Sequence, residues 1–77
     1  MTQIQAKEYT TGVAVKLMVD AAISGESGNI WYKLFDANNN IVTDGCVPVG
    51  NEFIANYDYS EIYAANYIAN YLGVVIL

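Results

Sequence analysis

The stretch that most constrains the fold of this sequence is Asp58 to Gly73, DYSEIYAANYIANYLG. A tyrosine recurs in it at every fourth residue: Tyr59, Tyr63, Tyr67 and Tyr71. Side chains four residues apart are neighbours on the surface of a helix. The spacing therefore predicts a C-terminal helix over about residues 59–72. Asp58, with Glu61 three residues later, is the predicted N-cap, and Gly73 suits the residue after the last turn.

A helical wheel divides this segment into two faces. The aliphatic face, which we expect to join the core, holds Ile62, Ala65, Ile68, Ala69 and Leu72. The other face is uncharged and aromatic, and it holds Tyr59, Tyr63, Asn66, Tyr67, Asn70 and Tyr71. Monomers seldom expose a patch of this kind larger than roughly several hundred Å². We predict that the aromatic face is a protein interface; packing inside the subunit is the alternative.

The rest of the chain alternates apolar and polar residues with period two, which predicts strands. The predicted strands are Val13–Asp20, with a possible extension to Ile23, then Asn29–Phe35 and Ile41–Val49. Residues 1–11 form an arm or an edge strand, and Val74–Leu77 is a short final strand that rejoins the sheet. One domain over 1–77 is expected, of the α+β class: an antiparallel sheet of four or five strands with one C-terminal helix. A small all-β sandwich is the alternative.

The strand predicted at 29–35 carries large apolar side chains on both faces. Trp31 and Phe35 share the face opposite Ile30 and Leu34. This face is either core beneath the helix or a second interface, and both possibilities stay open. Cys46 is predicted to be a small core residue, because no histidine is present to activate a thiol.

Composition and charge exclude several function classes. Three lysines against eight acids give a formal net charge of −5, so phosphate-neutralising groups are scarce and neither nucleic acid nor an anionic membrane is an expected partner. The loop Asp36–Asn40 begins like a calcium loop but lacks the later glycine and glutamate. No catalytic set, metal site, cofactor or small-molecule substrate is expected, and the beginning of the sequence lacks a signal-peptide pattern.

The last fifty or so residues carry a recurring pattern. It comprises a hairpin with an Asp/Asn turn over 32–49, Tyr57 near acids, a helix with Ile62, Ala65, Ile68 and Leu72, and an apolar tail. The pattern resembles small uncharacterised proteins encoded among phage and prophage structural genes. The resemblance implies a non-enzymatic virion component, made in the host cytoplasm, such as a capsid decoration or head–tail protein.

The expected partners are other virion subunits or further copies of this chain. A small acidic inhibitor that blocks a host protein is the alternative function, because a charge of −5 could mimic nucleic acid. A carbohydrate-binding module that uses tyrosine and tryptophan platforms is a third possibility.

Overall fold

The computed structural model describes all residues from Met1 to Leu77 and contains one four-stranded antiparallel sheet with strand order β1-β2-β3-β4. The elements are β1 (Thr2–Tyr9), β2 (Gly12–Ser24), β3 (Ser27–Phe35), β4 (Ile41–Val49), α1 (Asn51–Ala55) and α2 (Glu61–Leu72). Consecutive strands are neighbours, so the sheet is a meander of three hairpins. The α+β class and the four-stranded sheet predicted from the sequence are confirmed.

Turn residues set the hairpins. Gly25 has φ 64°, a left-handed conformation that glycine adopts without strain, and it lets Ser24 pair with Ser27. In the loop between β3 and β4, Asp36 Oδ1 accepts hydrogen bonds from the N–H groups of Asn38 (2.8 Å) and Asn40 (2.9 Å). These bonds hold the pKa of Asp36 below its ordinary value, with Asn40 the largest cause. The loop is therefore an Asx-type hairpin turn.

Helix α2 covers one face of the sheet, chiefly over β2 and to a lesser extent over β3, while α1 lies against β4. We call the face beneath α2 the inner face. All 15 buried residues are hydrophobic, so the fold is stabilised mainly by apolar burial. The largest of the fully buried side chains are Ile4, Leu17, Ile30, Leu34 and Ile68.

Helix α2 begins later than the sequence predicts. The N-cap is Ser60, whose Oγ accepts the Tyr63 N–H at 3.2 Å, whereas Asp58 accepts from the N–H (2.9 Å) and hydroxyl (2.6 Å) of Ser60. These bonds lower the pKa of Asp58, the hydroxyl being the larger cause. Tyr59 has φ 64° and lies outside the helix. The predictions of Asp58 as N-cap and of a helical Tyr59 are therefore wrong.

The C-terminal end of α2 agrees with the sequence prediction. Gly73 is left-handed at φ 72°, and Lys7 Nζ donates to the Leu72 carbonyl at 2.7 Å. The tail then pairs with β1: Gln5 N–H donates to the Val75 carbonyl and Leu77 N–H to the Gln3 carbonyl, around an antiparallel bridge at Ile76. The final strand predicted for Val74–Leu77 thus rejoins the sheet, but as a single bridge.

Two side-chain predictions, for Ile62 and Cys46, are wrong, and the alternation of β2 departs from a simple pattern at Val13. Ile62 is 65% exposed, because it lies in the first turn of α2 at the margin of the stripe formed by the buried residues Ala64, Ala65, Ile68 and Ala69. Val13 is exposed and Ala14 buried, because the pairing of β1 with β2 shifts register between Gln3 and Lys7. Cys46 is exposed, since it lies on the sheet face that no helix covers.

Candidate protein-contact surfaces

The predicted aromatic face of α2 is divided in the structure. Tyr63 is half-buried and its ring meets Phe53 edge-on, with the centroids 5.2 Å apart. Tyr67 meets the same ring at 4.9 Å and is 37% exposed. These two tyrosines, with Phe53 and Tyr57, form an aromatic cluster that packs α1 against α2. The alternative of packing inside the subunit therefore applies to Tyr63 and in part to Tyr67.

The remaining members of the predicted face stay at the surface. Tyr71 is 64% exposed and Tyr59 is 74% exposed, although Tyr59 contacts the ring of Tyr57 at 4.7 Å from the loop before α2. Asn66 and Asn70 are exposed on the helix. Since Tyr59 is not helical, these side chains do not form the continuous stripe that the four-residue spacing predicts.

The second candidate surface is the sheet face opposite α2, which we call the open face. Strand alternation places the following exposed side chains there: Met18, Asp20, Ala22, Asn29, Trp31, Lys33, Asp44, Cys46 and Pro48. Trp31 is 55% exposed, so the possibility that it forms core beneath the helix is wrong. Phe35, which the sequence places on the same face, is instead buried at 8% exposure, next to the register shift between β3 and β4.

The open face has a regular layout because the register of the two hairpins fixes its rows. One row across β2, β3 and β4 reads Asp20, Trp31, Cys46, and the next reads Met18, Lys33, Asp44. Trp31 stands between two grooves. The groove toward β2 has a volume of about 300 Å³, and the groove toward β4 has a volume of about 210 Å³. The indole is therefore accessible from both sides.

Lys33 differs from the other two lysines of the chain. Lys7 donates to the Leu72 carbonyl, and Lys16 donates to Asn39 Oδ1 at 2.7 Å. Lys33 lies opposite Asp44 in the register but forms neither a hydrogen bond nor an ion pair in the structure. The open face thus presents one exposed indole and one unpaired ammonium group, two residues apart on β3.

Sequence reasoning placed Trp31 and Lys33 on one face of the strand but missed Met18 and Cys46 as their neighbours. A signal for part of this arrangement was present. A two-residue turn at Gly25 and Glu26 pairs Ser24 with Ser27, and counting back along the hairpin puts Asp20 beside Trp31 and Met18 beside Lys33. The place of Cys46 was harder to predict, because it depends on the register shift near Phe35.

Comparisons with family models, with curated proteins and with solved structures find no match to this chain. The carboxylates and Cys46 do not gather into a group that could hold a metal ion. No helix has the length and hydrophobicity needed to cross a bilayer. The surfaces themselves therefore carry the functional argument.

Proposed function

We propose that this chain is a non-enzymatic structural or accessory protein of a phage particle, a capsid decoration or head–tail component, that acts through protein–protein contacts. The observation that carries the proposal is the open face, where Trp31 is 55% exposed although the residues around it fold into an ordered sheet. Tryptophan is the side chain that contributes most often to the binding energy of protein interfaces.

The size of the core supports a role in assembly. Only 15 of the 77 residues are buried, because a single helix covers only one face of the sheet. Domains of this size are often stabilised further by neighbouring subunits. In a symmetric particle such contacts repeat at every copy, so a small domain gains stability from each neighbour. The exposed part of the α2 surface, around Tyr71 and Asn70, supplies a second contact region.

The phage setting rests on the resemblance of residues 32–77 to proteins encoded among phage structural genes. The proposal that the chain is not an enzyme rests on the absence of histidine, the base that usually activates a thiol or hydroxyl nucleophile. On this proposal, the chain is made in the host cytoplasm and ends in the virion.

The test is to purify particles from the strain that encodes the chain and to measure its copy number by quantitative mass spectrometry. We expect a fixed ratio to the major capsid protein. Trp31→Asp should abolish incorporation while the circular dichroism spectrum of the isolated protein is unchanged. Ile62→Asp, which places the same group at an exposed aliphatic position on α2, is the matched control. Particles that lack the chain would contradict the proposal.

An acidic inhibitor of a host protein is the second candidate, and Asp20 and Asp44 on either side of the β3 row favour it. The dependence of binding affinity on salt concentration distinguishes the two candidate functions. An acidic mimic of nucleic acid should lose affinity for its target steeply as salt rises, whereas a contact centred on Trp31 should change little. Affinity measured at two ionic strengths therefore distinguishes them.

A further inference from the structure

We propose that the open face binds a second copy of this chain, through a two-fold axis that places Trp31 of each copy against Lys33 of the other. The inference rests on the proposed function in taking the open face as a contact surface, and it goes further by naming the partner. Two sheets packed face to face form a sandwich with about 10 Å between them.

The open face carries both halves of a cation–π contact, the Trp31 indole and the Lys33 ammonium group. An ammonium group over an indole is attracted by the negative face of the ring, and tryptophan is the strongest partner for such a contact. Within one chain the cation–π contact present is Lys7 over Tyr9, at 5.4 Å from the centroid. The indole of Trp31 and the ammonium of Lys33 are both left without such a partner. A second copy supplies both at once.

The register of the strands selects the axis. An axis running along β3 would set Lys33 directly on Lys33 of the second copy, and the like charges would repel. An axis running across the strands, between the Trp31 row and the Lys33 row, exchanges the two rows. Asp20 then meets Met18 of the second copy, Cys46 meets Asp44, and no like charges lie directly opposite.

The charge and the area of the open face are both compatible with a dimer. The open face carries Asp20, Asp44 and Lys33, a net charge of −1, whereas the whole chain carries −5, so two copies repel each other less here than the total charge would indicate. The molecule measures 36 × 20 × 17 Å, so a long side covers at most roughly 700 Å². Stable interfaces bury about 800 Å² per partner, so a dimer through this face is of moderate strength.

The test uses two reporters that the chain already contains. Sedimentation equilibrium over a range of concentrations should show a monomer–dimer equilibrium. Emission from the single tryptophan should shift to the blue as dimer forms, because the indole leaves water. The single cysteine lies in the predicted interface, so its reaction with a maleimide should slow with rising concentration. The Cα atoms of Cys46 in the two copies would be about 12 Å apart, too far for a disulfide but within reach of a short bis-maleimide.

Variants separate the cation–π contact from general apolar burial. Lys33→Gln should weaken the dimer about 5- to 30-fold, because each dimer loses two such contacts, while Lys33→Arg should stay within about threefold. Trp31→Thr should abolish the dimer. Tyr71→Thr is the matched control for loss of an exposed aromatic ring, and it should leave the dimer unchanged.

The outcomes are decisive for the inference and distinct from those for the proposed function. A chain that stays monomeric at all concentrations, or a dimer that Tyr71→Thr removes and Trp31→Thr does not, overturns the second-copy interface. A monomer that still needs Trp31 to enter particles would leave the proposed function standing with another partner. A dimer that is absent from particles would leave the interface standing and refute the function.

Discussion

The inner face of the sheet is buried, whereas the open face of the same sheet is exposed to solvent. On the inner face, β3 contributes Ile30 and Leu34, both with no exposed surface, beneath the small side chains of α2. On the open face the same strand contributes Trp31, which is 55% exposed. The side chains are apolar in both cases, so apolar character alone does not decide burial. The deciding quantity is what the rest of the chain can place against each face.

The length of α2 explains this difference. Twelve residues span about 18 Å, which is enough to cover the middle of one sheet face and no more. Alanines at positions 64, 65 and 69 let the helix approach β2 closely. No segment in the structure covers the open face, and the residues after Gly73 pair with the edge of β1. The protein is therefore a two-layer structure with one layer uncovered.

The largest expected effect is on the inner face. Leu34→Ala should lower the free energy of unfolding by about 2–5 kcal/mol, the usual range for truncating a fully buried leucine. Stabilities of small domains start at about 5 kcal/mol, so a loss at the upper end of this range would leave the variant partly unfolded at room temperature. Urea denaturation followed by circular dichroism measures the change. A loss below about 1 kcal/mol would contradict the close packing of the inner face.

Gly45→Ala should be the next most damaging change, because the ring of Tyr32 lies directly against Gly45. A Cβ atom built at Gly45 would lie 2.6 Å from the Tyr32 hydroxyl, so the ring that covers this glycine would have to move. Overpacking of this kind costs about 1–3 kcal/mol. Gly50→Ala is the matched control, since nothing lies within 4 Å of its added methyl group. In a double-mutant cycle, Tyr32→Ala should relieve part of the cost.

Ser60→Ala tests the helix that covers the inner face. Removing the N-cap oxygen should cost about 1 kcal/mol, because the Tyr63 N–H loses its partner. Asp58→Ala is the informative comparison, because Asp58 bonds only to Ser60 and not to the helix backbone. Thermal denaturation of both variants measures the difference. A larger loss for Asp58→Ala than for Ser60→Ala would restore Asp58 as the cap.

Raising the pH should lower the free energy of unfolding, because the phenol of Tyr32 ionises. Burial raises the pKa of this phenol above 10.0, and the negative charges of ionised Tyr71, Tyr9 and Asp44 add to the effect. The unfolded chain therefore loses this proton first. The stabilising contribution is present below about pH 10, and it is lost as the pH rises through the higher pKa of the folded state. Tyr32→Phe should flatten the fall in stability as the pH rises above about 10, measured by urea denaturation.

Much of the fold could be predicted from the sequence, because period-two alternation and turn residues are local signals. The strand Ile41–Val49 and the left-handed Gly73 follow directly from them. The burial of Ala14 in place of Val13 could not be predicted, since it depends on how β1 pairs with β2. The start of α2 was mispredicted because Asp58 and Ser60 are both good cap residues, and only the positive φ at Tyr59 decides between them.

The candidate site was only partly predictable for a related reason. Four-residue spacing places tyrosines on one side of a helix, but it does not say what lies beside that side. Phe53 from α1 occupies the space beside Tyr63 and Tyr67, and this contact is not local. Large apolar side chains on both faces of the predicted strand at 29–35 left open which sheet face would be covered. That Trp31 would stay exposed while Phe35 would be buried could not be predicted, because Phe35 lies next to the register shift between β3 and β4.

The smallest expected effect on the isolated chain is that of Trp31→Thr. This variant shows whether Trp31 stabilises the subunit itself or its contact with a second copy. Threonine keeps the strand propensity of the site, and more than half of the Trp31 surface is exposed in the subunit, so the free energy of unfolding at low concentration should change by no more than about 0.5 kcal/mol. At high concentration the wild-type chain should gain stability from its second copy, and the variant should not. Denaturation at two concentrations that differ by a hundredfold measures both quantities. A large loss at low concentration would mean that the open face belongs to the core after all, and equal concentration dependence in the two chains would place the contact elsewhere.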